Sequence, residues 1–567
     1  MTAIDVNPGL LMIAAGLLAC LLPRVGRQLL TLGTPVAGLL LLIATPMGAL
    51  TTLPIFGYDL TLLRLDGLAF PFGIIFLIAA FLNAIFALHQ DDRLQDSAVM
   101  IYGGAAVGAV LAGDLASLFI YWELTAVSSV FLILASRTER AYSAAMRYLV
   151  WQIGSGVLLL AGILLHYQET GSMAFTTITL GSVGSWAIFL AFGIKCAFPL
   201  LHNWVQDAYP EATITGTVAL SAFTTKLAVY AFARSFAGEE LLIPIGVVMT
   251  CFPVFFAVIE NDLRRVLAFS LNNQLGFMLV GIGIGSEIAI NGAVSHAFAH
   301  IIYKSLLFMS MGAVLYRTGT VKASELGGLY KSMPLTTIFC IIGALSIAGF
   351  PLTSGFVTKN LTLTGAEYAG YFWIWLLLIF ASAGVMEHSG IKIPFFAFFS
   401  HDGGHRVKEA PVNMLIAMGI AAGACIFIGI FPQTLYSILP YEVTKSPYSV
   451  QSVVTKTQLL TFSIIAFGVL IRAGLYPKEI PSTNLNTDWL YRHVGRYFVG
   501  VLAYMARWAW AGVCGGWRAT LGAAHGLIRR HYGPDGAMGS AWPTGQMAFW
   551  ATVMIAAYSL IGFWYLL

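Results

Sequence analysis

The amino-acid sequence predicts an all-α polytopic membrane protein, and two observations carry that expectation. Hydrophobic residues make up 58% of the 567 and charged residues only 10%, against roughly 25% charged in an ordinary soluble chain. Apolar runs of about 18 residues or more, each enough to cross the hydrocarbon as a helix, recur from Gly9 to the carboxyl terminus, about 15 to 17 in all. The runs are unbroken mixtures of Leu, Ile, Ala, Gly and Phe. A membrane β-barrel would show short segments of alternating polarity instead, so the spans are read as helices.

The first run, near residues 9–22, has no basic stretch before it and no small-residue cleavage site, so it reads as a spanning helix and not as a signal segment. The six cysteines (Cys20, Cys196, Cys251, Cys340, Cys425 and Cys514) lie far apart with no C-x-x-C, and read as small buried hydrophobes. No nucleotide, flavin, quinone-redox or metal motif is present, so no cofactor and no metal are expected, and a net charge of +4 gives no nucleic-acid surface. Energy must then come from an ion gradient or a partner.

Loop charge sets the orientation. With alternating helices, one set of loops through residue 410 carries Arg24, Arg27, Arg93, Arg137, Arg140, Arg147, Arg264, Arg265, Arg317, Lys322, Lys331, Arg406 and Lys408, and the other over the same stretch only Arg64 and Arg234. The basic set marks the cytoplasmic side, which places the amino terminus on the non-cytoplasmic side of a bacterial-type inner membrane.

Two segments interrupt their apolar pattern in mid-helix: Phe192 to Trp204, containing Lys195 and Pro199, and Gly349 to Leu361, containing Pro351 and Lys359. Each pairs Phe-Pro-Leu with a lysine, and proline inside a helix removes a hydrogen bond and clashes with the preceding turn. Lys226 follows Lys195 by 31 residues, and Lys392 follows Lys359 by 33. Corresponding interrupted helices in two halves point to internal repeats. The expected organisation is amino-terminal helices over 1–97, five-helix repeats over 98–236 and 241–400, and carboxyl-terminal helices with an interfacial segment over 401–567. An odd helix number inverts one repeat relative to the other.

Glu123, Lys195, Lys226, His296, His300, Lys304, Lys359 and Lys392 all fall within apolar segments. At about 2.5–3.5 kcal/mol for each charge at a helix centre, they must be paired, hydrated or neutral. Taken singly, any of them reads as polar glue between helices; as a set with one obvious carboxylate, they read as a proton path. Burial lowers a lysine's affinity for its proton and a nearby carboxylate restores it, so Glu123 and Lys195 are the natural switch pair. Steps of four residues set His296, His300 and Lys304 on one sloping stripe roughly 12 Å long. Two histidines at that spacing can share zinc, but the cationic Lys304 and the absence of a local carboxylate argue against it.

The ordered motifs Phe119-Ile-Tyr-Trp-Glu123-Leu, Lys195 with Phe198 to Ala212, Lys226 to Ala231, Asn261 to Ser270 and His296 to Phe308 resemble the antiporter-like proton-pumping subunits of respiratory complex I and the large membrane subunits of Mrp-type Na+/H+ antiporters. The similarity runs over about residues 65–400. It implies about 14 core transmembrane helices with two inverted five-helix repeats and broken helices. It also implies that Glu123 and Lys195 form a gating pair, that Lys226 joins it to a central polar axis, and that His296, His300 and Lys304 continue the axis to an exit near Lys359. Where the family has Lys-Asp-Glu after the second break, this chain has Lys359-Asn360-Leu361, so the exit lacks its acidic neighbours.

The resulting expectation is an ion-translocating integral membrane subunit that moves protons, with sodium as the candidate exchanged ion, alongside other membrane subunits of a hetero-oligomeric complex. A secondary transporter component leads. The rivals are the pump of a complex I-like or hydrogenase-like redox enzyme, a translocase component in that setting, and the membrane partner of an inorganic-carbon accumulation complex. Beyond residue 400 the resemblance is weak. Arg507 to Arg530 reads as an interfacial stretch, nothing there points to a long lateral helix, and a last span is expected near 547–567.

Overall fold

The computed structural model describes residues 6–55, 57–481 and 484–565 and shows a multi-pass helical membrane protein. Among the described residues thirteen helices are long and apolar enough to cross a membrane, and three shorter apolar ones join them. The last two residues of the expected final span lie outside the described residues.

The chain opens with α1 (Pro8–Ala19) and α2 (Arg24–Ala44), followed by an antiparallel hairpin, β1 (Leu50–Ile55) and β2 (Tyr58–Arg64). The helical reading did not anticipate the hairpin, because it is short and sits between strongly apolar spans. Next come α3 (Ala69–Ala87), α4 (Arg93–Val110), α5 (Leu115–Leu134) and α6 (Glu139–Thr170). Asp114 joins hairpin to helix: Oδ1 accepts from the Ser117 amide at 2.7 Å as the cap of α5, and Oδ2 accepts from the Thr61 amide at 2.6 Å. Asp66 takes up the two basic residues that stood apart in the loop-charge pattern, accepting from Arg234 at 2.5 and 2.8 Å with Arg64 3.6 Å away.

The first expected break is present. After α7 (Val183–Lys195) the chain turns through Ala197 and Leu200, both at positive φ, into the short α8 (Asn203–Ala208). The Ile194 carbonyl accepts from the Ala197 amide at 3.1 Å and from the Trp204 indole at 3.0 Å, which ties the end of α7 to α8. Then follow α9 (Ile214–Ala222), α10 (Thr224–Ser235), α11 (Leu242–Ile259), α12 (Leu263–Ile284) and the 32-residue α13 (Glu287–Thr318). The division of α9 from α10 at Phe223 has no proline or glycine to announce it. Its freed Thr224 amide is taken by the Tyr102 hydroxyl at 3.0 Å. Buried Arg264, in the first turn of α12, holds the turn after α8 by donating to the Pro210 and Ala212 carbonyls, each at 2.9 Å.

The second break repeats the logic of the first. α14 (Pro334–Ala348) ends on Gly349 at φ 80°, and Leu352 at φ 67° precedes α15 (Ser354–Tyr368). The freed Ile347 carbonyl accepts from Lys359 Nζ at 2.6 Å. α16 (Phe372–Val385) passes into two π-helical turns, 386–391 and 395–399, around the three-residue α17 (Lys392–Pro394). α18 (Val412–Ile430), the short α19 (Gln433–Tyr436) and α20 (Val450–Arg472) complete the helices of the first compact unit, which runs to Asn484. Within it α9 to α10, α12 and α13 form the interior, with 94–100% of their most apolar windows buried, whereas α20 stands at the rim with 17%.

Residues 485–567 form a second unit with α21 (Arg496–Tyr532) and α22 (Thr544–Trp564). α21 has 37 residues, roughly 56 Å at 1.5 Å per residue and nearly twice the hydrocarbon thickness. A long helix is therefore present where the sequence suggested none. Its glycines and arginines interrupt the apolar pattern without interrupting the backbone.

Candidate functional site

Lys195 closes α7 at the first break, fully buried. Its Nζ donates to the Trp122 carbonyl at 2.5 Å and the Thr125 hydroxyl at 2.7 Å, and lies 4.2 Å from the centre of the Trp122 ring. That ring is fixed by an indole hydrogen bond to Ser155 at 3.0 Å, and Ser155 in turn donates to the Ala191 carbonyl at 2.7 Å. Glu123 is the residue beside Trp122 on α5, yet it does not touch Lys195: among the described residues no hydrogen bond or ion pair joins them, and Glu123 Oε1 is buried without a hydrogen-bond partner. The two remain within electrostatic reach. The expected pair is thus seen apart, its lysine resting on neutral acceptors.

Glu123 packs against Gly156 of α6, where an added Cβ would overlap its carboxylate. Gly156→Ala should therefore push the carboxyl aside. Because the obstructed atom is the free end of a side chain, stability should change by only about 1 kcal/mol. Thermal denaturation of the detergent-solubilised protein checks that value.

Lys226 stands three residues past the α9–α10 division, with Nζ donating to the freed Ser221 carbonyl at 2.6 Å and to Thr225 at 3.3 Å. On α13, His296 contacts Thr358 through Nδ1 and Gln274 through Nε2, both at 3.1 Å. Thr358 precedes Lys359, so the stripe meets α15 directly. Lys359 Nζ lies 5.3 Å from the Phe277 ring centre, and that ring lies 6.0 Å from His296. Neither nitrogen of His300, nor Lys304 Nζ, has a hydrogen-bond partner among the described residues, although all three atoms are buried. Lys226 and Lys359 act electrostatically on His300 and Lys304 from two sides. Six of the eight expected residues, Lys195, Lys226, His296, His300, Lys304 and Lys359, are thus buried in a file, with half-buried Glu123 beside Lys195 and electrostatic reach joining Lys226, the α13 stripe and Lys359.

Lys392 is held differently, between the two π-helical turns. Its Nζ donates to the Val258 and Glu260 carbonyls at 2.5 and 2.7 Å, which the end of α11 leaves free. It also forms a buried ion pair with Glu479 at 2.9 Å. Glu479 comes from the segment after α20, far from Lys392 in sequence and in a stretch with no apolar context to mark it. His388 was missed as well. It is fully buried, its Nδ1 lies 2.8 Å from Ser389 Oγ, Ser389 donates to Ser270 at 2.8 Å, and Lys304, Lys359 and Lys392 all act on it electrostatically. A histidine inside the run Met386 to Ile391 was the available signal.

The family model described as NADH:quinone oxidoreductase/Mrp antiporter, TM, matches residues 112–386, the stretch that carries every member of the buried file. Residues 112–386 are thus similar to that antiporter-like transmembrane family. The chain is 28% identical over 511 residues to one of the Na(+)/H(+) antiporter subunits of Alkalihalophilus pseudofirmus, covering 81% of this chain and 61% of that one. It spans 61–66% of the length of this and two other curated relatives it matches. Among solved structures, a chain of the Mrp complex from a Dietzia species aligns at a TM-score of 0.69 and 20% identity, over 82% of this chain and 99% of that one. A chain of an archaeal respiratory membrane complex, the membrane-bound sulfane sulfur reductase, aligns at 0.71 and 21%, over 98% and 99%. The antiporter-like fold thus extends beyond the matched segment.

Proposed function

We propose that this chain is a proton-translocating component of a multi-subunit membrane assembly, and that Glu123, Lys195, Lys226, His296, His300, Lys304 and Lys359 carry the protons. The observation that supports this best is the state of His300 and Lys304, buried at the middle of the file with no protein hydrogen-bond partner. A fold that holds such groups in hydrocarbon bears a cost of several kcal/mol unless water reaches them. A hydrated lysine beside a histidine can take up and hand on a proton at neutral pH.

The first break supplies the switch. Lys195 has two alternative sets of acceptors, the Trp122–Thr125 group it now occupies and the free carboxylate of Glu123. Movement of the ammonium toward Glu123 neutralises both charges as seen from Lys226; movement away restores the field and drives the next proton along the file. The basic loops lie on the cytoplasmic side of a bacterial-type inner membrane, with the amino terminus opposite. Sodium is the candidate exchanged ion, in keeping with the antiporter component to which the chain is similar. In energised inverted vesicles containing the chain and its partner subunits, sodium should dissipate an acid-interior pH gradient. No response to sodium, and no proton movement with any electron donor, would contradict the reading.

A second reading, a pump driven by redox partners, is favoured by one observation: the archaeal respiratory chain aligns over 98% of this one and so extends into residues 485–567. Co-purification of iron–sulfur subunits would select it over antiport.

A further inference from the structure

Beyond Lys359 lies a cavity of about 140 Å³ between α15, α16 and the first turns of α20. That is room for roughly four or five waters at about 30 Å³ each. Asn360, Thr364 and Glu367 line it from α15, Ser452 and Lys456 from α20, and Lys445 from the loop before α20. Lys445 has partners, donating to Thr364 Oγ1 at 3.3 Å and lying 4.7 Å from the Tyr368 ring centre. Lys456 has none: it is only 8% exposed, and among the described residues its ammonium makes no hydrogen bond or ion pair. It is buried along with Leu460 and Phe467 on a helix that otherwise faces outward, and is the one charged member of that inward face. Lys456 also acts electrostatically on Lys359.

These positions answer the departure seen in the sequence. Asn360 stands where the family resemblance leads one to expect an acid, and an amide cannot take a proton; its Nδ2 is engaged with the Pro447 carbonyl at 3.0 Å. We propose that Lys456 is the proton acceptor for Lys359 and that the α15–α16–α20 cavity is the aqueous vestibule through which the proton leaves or enters. This rests on the proton-translocating reading above. In the outward direction, an N–H bond of the Lys359 ammonium breaks as one forms on the neutral Lys456 amine, directly or through one water. Lys359 is left neutral, and the Lys456 ammonium then releases the proton to water in the cavity, with Glu367 beside it. Two ammoniums within electrostatic reach of each other repel, so a proton arriving at Lys359 from the α13 stripe favours departure of one already on Lys456.

Two measurements on the intact assembly test it. Lys456→Gln and Lys456→Arg should each lower proton flux by about tenfold or more, with unchanged amounts of assembled protein. Arginine keeps the charge but does not release its proton, so wild-type flux in Lys456→Arg would overturn the acceptor role and leave Lys456 a fixed charge. Independently of any flux, Ser452→Cys should react with a hydrophilic, membrane-impermeant thiol reagent applied at the face where α20 begins, and Ser463→Cys, deeper on the same helix, should not. Equal labelling of the two, or none at position 452, would overturn the vestibule even if the protein translocates protons. Labelling as expected in a protein without proton flux would show the vestibule intact and the translocation reading wrong.

Discussion

Lys195→Ala is expected to reduce proton translocation to background while the protein remains folded in the membrane, and Glu123→Gln should do the same. Lys195 is fully buried, and its removal ends the desolvation of an ammonium at the cost of two hydrogen bonds and one contact with an aromatic face. Trp122 keeps its place without it, through Ser155 and through Phe192, whose ring lies 5.1 Å away. The loss of packing and the relief of burial oppose one another, so the change in stability should stay within about 2 kcal/mol. Glu123→Gln preserves shape and removes only the charge, and the carboxylate oxygen concerned has no hydrogen bond to lose. Dye-quench measurements of flux, beside the amount of monodisperse protein extracted from membranes, check both variants. Wild-type flux in either would remove the switch from the account.

Lys304→Met should separate function from stability in the opposite sense. Methionine matches the lysine in length and carries no charge. Because the Lys304 amine has no hydrogen-bond partner among the described residues and only a distant ring contact, 6.0 Å from the Phe308 ring centre, replacing it should stabilise the fold by about 1–3 kcal/mol, seen as a higher melting temperature. Transport should fall at least as far as in Lys195→Ala, since Lys304 and His300 are the two groups of the α13 stripe left without a hydrogen-bond partner among the described residues. A destabilised Lys304→Met variant would show that the lysine is structural glue.

Much of this arrangement was legible in the sequence because it rests on side chains that hydrocarbon excludes. A lysine in an apolar run is conspicuous at any position, and Phe-Pro-Leu beside Lys195 and Lys359 marks two helix interruptions whose backbones do turn through positive φ. What was not legible lacked such contrast. The division at Phe223 is made by backbone groups that Tyr102 and Lys226 satisfy, and neither partner is a helix breaker. Glu479 and His388 become site residues only through groups distant in sequence, the ion pair with Lys392 for the first and the electrostatic reach of Lys304, Lys359 and Lys392 for the second. The continuity of α21 was hidden by composition, since glycine and arginine dilute an apolar pattern that the helix itself does not need.

The most direct test of the buried file as a proton path is proton uptake into proteoliposomes under an imposed membrane potential, with the complete assembly carrying either the wild-type chain or Lys304→Met. Uptake is expected with the wild type and not with the variant, at equal amounts of assembled protein. Equal uptake in the two would show that protons cross elsewhere.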